Sequence, residues 1–82
     1  MITKIFSVYD TKAETYMQPF HAPTTGSAIR SISDCLSDSS HPFAKHPTDY
    51  MLFELGSYDD SSASFTLLAD KVCLGSLLDY KA

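Results

Sequence analysis

Tyrosines interleaved with cations are the residues here whose types best match a known chemistry. Tyr9, Tyr16 and Tyr58 lie near hairpin turns or on the second face of a strand, and Lys4, Lys12, Arg30 and Lys45 are the cations outside the C-terminal tail. Aromatic rings stack on unpaired bases while Lys and Arg track the phosphates between them, as in single-strand binders. The same tyrosines also suit cross-strand packing or a dimer interface, so the residues leave both readings open. Arg30, the one arginine, falls on the polar side of a helix. Its guanidinium can hold a phosphate bidentately or pair with Asp34 four residues on.

Other chemistries find less support. His21, His41 and His46, with Cys35 and Cys73, are the right ligand types for zinc, but no two stand in a C-x-x-C or H-x-x-x-H spacing. They read as structural or surface residues, and Cys35 as a small hydrophobe on an apolar helix face. Among twelve serines none sits in a G-x-S-x-G elbow. Asp59-Asp60, next to Ser61-Ser62, reads as a solvated turn, and Asp34 with Asp38 as an exposed repulsive pair. The three glycines, at 26, 56 and 75, are too scattered for a phosphate loop. No catalytic group, metal or cofactor is therefore expected, and the chain reads as a non-enzyme.

These residues must be positioned by a small fold. The chain has 82 residues and 9.1 kDa, enough for one domain spanning 1–82. Hydrophobic residues at 44% and charged residues at 20% fit a globular domain and argue against disorder. Six basic against ten acidic residues give a net charge of −4, which counts against a highly basic nucleic-acid coat protein. Two cysteines are too few for a disulfide scaffold, and no apolar run approaches the roughly 18 residues of a membrane span. A cytosolic α+β domain without membrane contact is the expectation.

Residues 3–10 are β-branched and aromatic and predict a strand; Asp10 to Ala13 a turn; and 14–18 a second strand ended by Pro19. This first hairpin spans about 3–18. After Pro23, Ala28, Ile29, Ile32, Cys35 and Leu36 recur at spacings of three and four, one face of a helix over about 25–37 capped by Thr24 or Thr25. Residues 41–49 carry Pro42 and Pro47 and predict an irregular connection. A second hairpin spans about 50–68, with Met51, Phe53 and Leu55 sharing a strand face. Phe6, Phe53 and Phe65 are expected to be buried against the helix. The tail, 69–82, fits a short helix or an edge strand equally well.

The order β-β-α-β-β predicts an antiparallel sheet of about four strands packed on one helix. A single helix covers one face only. The other is then wet, covered by the tail, or buried against a second copy, so a homodimer is a physical expectation.

Ser7-Val8-Tyr9-Asp10-Thr11-Lys12-Ala13, followed by Tyr16-Met17-Gln18-Pro19-Phe20, resembles the opening S-V-Y-D-x-K-A…P-F of a phage protein family. The likeness continues through Ala28-Ile29-Arg30, Pro47-Thr48-Asp49-Tyr50 and Leu55-Gly56-Ser57-Tyr58-Asp59-Asp60. The family comprises small non-structural proteins of gokushovirus-type microviruses, phages with circular single-stranded DNA. It covers roughly residues 4 to 68 and leaves the tail unmatched. The resemblance implies DNA binding, with single strands favoured, during genome replication or the switch to single-strand synthesis in the cytoplasm of the bacterial host.

Two functional expectations follow. In one, Lys4, Tyr9, Lys12, Tyr16, Arg30 and Lys45 form a DNA-binding surface. In the other, the acidic surface and sheet edges serve a protein-binding adaptor that contacts a phage replication or assembly protein, or a host factor, without touching DNA.

Overall fold

The computed structural model describes residues 1–81. Five strands and two helices follow in the order β1 (Ile2–Asp10), β2 (Thr15–Tyr16), β3 (Phe20–Ala22), α1 (Thr25–Leu36), α2 (Pro42–Lys45), β4 (Tyr50–Asp59) and β5 (Ser64–Ser76). Short 3-10 turns occupy Pro47–Asp49 and Leu77–Tyr80. The architecture is α+β, an antiparallel sheet with one main helix. Its order is β2-β1-β4-β5, and β3 pairs with β1 further along the edge that β2 occupies.

Strand β1 is central because both its faces are apolar enough to bury. Phe6 and Val8 point toward α1 and form one cluster with Ala28, Ile32, Leu36, Phe43, Leu52 and Leu77. Each Val, Leu, Ile or Phe among them, fully buried, contributes about 1.5–3 kcal/mol. Helix α1 presents the apolar stripe read from its spacing, and Thr24 is the residue that caps it, its Oγ1 accepting from the Ser27 N–H at 3.1 Å. Asp10 forms the expected turn, its Oδ1 accepting from the N–H groups of Lys12 (2.9 Å) and Ala13 (3.1 Å).

Several elements differ from the sequence reading. The return strand of the first hairpin is broken in two: Pro19 has no N–H to donate, and the chain leaves the ladder between Tyr16 and Phe20. There the Ser7 hydroxyl donates to the Met17 carbonyl at 2.8 Å and the Met17 N–H to Val8 O at 2.8 Å. The connection 41–49 contains the one-turn α2, with Pro42 at its first position and the His41 Nδ1 accepting from the Phe43 N–H at 3.1 Å. Phe53 and Phe65 are not under the helix. In β4 it is Leu52 that is buried there, and Phe65 is 63% exposed.

The tail resolves into both alternatives in succession. Through Ser76 it prolongs β5 to 13 residues, and then it turns as the 3-10 segment. Gly75 makes the bend at φ 112°, a left-handed conformation that side-chain-bearing residues resist. The Tyr80 hydroxyl donates to the Leu74 carbonyl, and the Ser33 hydroxyl to Tyr80 O at 3.2 Å, fastening the tail to α1's side. Helices and tail thus feed one core on one face, leaving the opposite face without a helix.

At Gly56, β4 and β5 approach closely. A Cβ there would run into the Thr66 carbonyl oxygen and lie 2.9 Å from Leu67 Cα. Gly56→Ala is expected to lower stability by about 1–3 kcal/mol in urea unfolding. Ala63, at φ 57° in the β4–β5 turn, predicts the opposite sign: Ala63→Gly should raise stability by about 1 kcal/mol.

Candidate nucleic-acid interface

Register places the aromatic residues of the uncovered face. Tyr9 lies opposite Tyr16 across β1–β2, and Ser7 opposite Phe53 across β1–β4, so all four share a face. Ring centroids are 4.7 Å apart for Tyr9–Tyr16, 5.6 Å for Tyr16–Phe53 and 6.5 Å for Tyr9–Phe53. A second group lies toward the other end of β1. His21 meets Tyr58 edge-on at 5.7 Å, Tyr58 packs on Phe65 at 4.7 Å, and Thr3 Oγ1 is 3.2 Å from His21 Nδ1.

Strand β5 supplies a cation to the first group. Between the pairs Gly56↔Leu67 and Glu54↔Val72, the four residues Leu68 to Lys71 stand opposite Leu55 alone. This excess pushes the segment out of the ladder. Lys71 Nζ reaches to 5.7 Å from the centroid of the Tyr16 ring, within cation–π range. Tyr16 remains 42% exposed, leaving part of it open to a ligand.

The six residues expected to form a DNA surface are not all brought together. Tyr9 and Tyr16 meet, and Lys12 lies in the turn that joins their strands. Lys4 belongs to the helix side, its Nζ 3.8 Å from a Glu54 carboxylate oxygen and 3.1 Å from Thr25 Oγ1. Arg30 is exposed on the side of α1 opposite the buried Ala28–Ile32–Leu36 stripe, and among the described residues it makes no ion pair with Asp34 or any other carboxylate. Lys45 ends α2, which packs on the covered side. Sequence reasoning missed Phe53, assigned to the core, and Lys71, lost in an undecided tail.

Other groups have structural partners. Tyr50 packs on Phe43 with centroids 4.8 Å apart, and burial, followed by the charges of Asp10 and Asp49, pushes its phenol above the ordinary value. A cleft of about 190 Å³ between α1 and the sheet is lined by Val8, Phe20, Ile32, Cys35 and Phe43 among others, with no acid, histidine or lysine in its described lining. Among the described residues no three His, Cys, Asp or Glu side chains gather as a metal ligand set. Nor, among the described residues, is any helix long and apolar enough to cross a membrane.

The fold and this face define a small α+β protein with one packed and one open sheet surface. The chain belongs to the family described as Phage ORF5 protein, which matches residues 3–80. It is thus a phage protein, and the match extends the likeness through the tail, including Lys71. No curated protein and no solved structure matches the chain.

The acidic turns make a pH prediction. Asp59 Oδ1 accepts from the Ser61 hydroxyl at 2.6 Å and the Ser61 N–H at 3.0 Å, and these bonds, the hydroxyl's first, hold its carboxyl below the ordinary 3.8. A carboxyl depressed by folding contributes stability above its unfolded pKa, and that contribution is lost as pH falls through the folded value. Ser61→Ala should move the Asp59 titration, followed by carboxyl NMR shifts, back up toward 3.8. An unmoved midpoint would mean that the hydroxyl is not the cause.

Proposed function

We propose that this phage protein is a non-enzymatic accessory protein of a gokushovirus-type microvirus. It binds single-stranded DNA across the open face of its sheet, in the host cytoplasm, during genome replication or the switch to single-strand synthesis. The observation that carries this reading is the Tyr9–Tyr16–Phe53 cluster with Lys71 over Tyr16. Bases stack on such rings with little sequence preference, at about 1–3 kcal/mol per base. Lys12 and Lys71 are the cations associated with these strands, so two phosphate contacts are the expected number per monomer. That corresponds to a salt slope of roughly −1.4 on single strands.

The adaptor reading draws on a different observation, the exposed apolar residues Phe65, Leu67 and Leu68 of β5. Those residues offer a protein partner more than they offer a phosphate chain.

Fluorescence anisotropy with a labelled 30-mer of thymidine at about 50 mM salt tests the DNA reading, because contacts are least screened there. Binding is expected by tens of micromolar protein. Tyr16→Ala should weaken it roughly 5- to 150-fold, the loss of one stacked base. Lys71→Ala should flatten the salt slope by about 0.7. Arg30→Ala, on the far side of the molecule, should bind as the parent does. No binding at tens of micromolar protein removes DNA as the ligand.

A further inference from the structure

Strand β5 is the long free edge of the sheet, and ten consecutive residues, Ser64 to Cys73, are exposed. Native edges are usually blunted by proline, inward charges, a bulge or brevity. β5 has its bulge at Leu68–Lys71, but the stretch Ser64–Leu67 ahead of it pairs in regular register with Gly56–Asp59 and carries no proline and no charge. Leu67 is 69% exposed and Phe65 63%. The one lysine near this edge is turned onto Tyr16.

We propose that the edge segment Phe65–Leu67 pairs antiparallel with the same segment of a second copy, about a two-fold axis through Thr66. Such an axis perpendicular to the sheet sets Phe65 of each copy opposite Leu67 of the other, on one face, twice over. Charge selects the occupant. Each chain carries −4, so two copies meet with least repulsion along an uncharged segment, and an anionic polymer gains nothing from the cation-free stretch Ser64–Leu67.

Size sets the strength. The exposed parts of Phe65 and Leu67, the apolar side chains at the seam, amount to on the order of 250 Å² per copy, about a third of the ~800 Å² of a standard interface. The association is therefore a concentration-dependent one. It also stops at two, because the opposite edge of the sheet carries only a two-residue and a three-residue strand separated by Pro19. The pair sets two open aromatic faces side by side in one continuous sheet.

Sedimentation equilibrium without nucleic acid, from about 10 μM to 1 mM, tests this independently of the DNA reading. The parent should pass from monomer to dimer. Thr66 is exposed, and at a two-fold axis its copies face each other directly. Thr66→Lys and Thr66→Glu should each lower the association constant at least tenfold, with thermal unfolding near that of the parent, and an equimolar mixture of the two should dimerise again. A parent monomeric at 1 mM, or a dimer that neither variant weakens, overturns the proposal. So does a mixture that stays monomeric while each variant remains folded.

Discussion

A sheet has two faces, and this chain has enough helix to cover one. Phe6, Val8 and Leu52 are sealed by Ala28, Ile32 and Leu36 from α1, by Phe43 from α2 and by Leu77 from the tail. Each covering element reaches the same cluster, so the core is small and one-sided. The remaining features follow from that asymmetry. The uncovered face keeps its order through aromatic side chains packed on one another and through Ile5 and Ser7, which are buried within the sheet's own curl.

Close contact between β4 and β5 at Gly56 is linked to what the open face can do. The bare Cα lets the Thr66 carbonyl approach, and beside it the ladder slips, with four residues of β5 opposite one of β4. The surplus residues swing out and deliver Lys71 to the Tyr16 ring. A glycine with no chemistry of its own therefore lies next to the irregularity that places a cation on an aromatic cluster. In an acidic molecule, local placement of a few cations matters more than net charge for what a surface can hold.

The helix was legible because its apolar residues recur at three and four, and Thr24 stood where a cap belongs. The strand pattern was less informative. Tyr50 and Leu52 alternate with Met51, Phe53 and Leu55, so both faces of β4 are apolar, and a period of two cannot say which one the helix covers. Alternation alone therefore puts Phe53 in the core as readily as Leu52, and puts Phe65 there too, although only Leu52 is buried under the helix. The two tyrosines were found from their types and turn positions. Lys71 was invisible because it reaches Tyr16 only through a slip in register that no local pattern encodes. Arg30 was conspicuous as the one arginine, yet helix geometry turns it away from the tyrosines.

Single-stranded DNA, as proposed, would meet the open aromatic face and not the outer surface of α1. Backbone amide NMR of the labelled protein, titrated with a short thymidine oligonucleotide, tests this residue by residue. Shifts should concentrate at Tyr9, Tyr16, Phe53 and Lys71, with the amides around Arg30 unmoved. Shifts centred on Arg30 and the exposed side of α1 would contradict it.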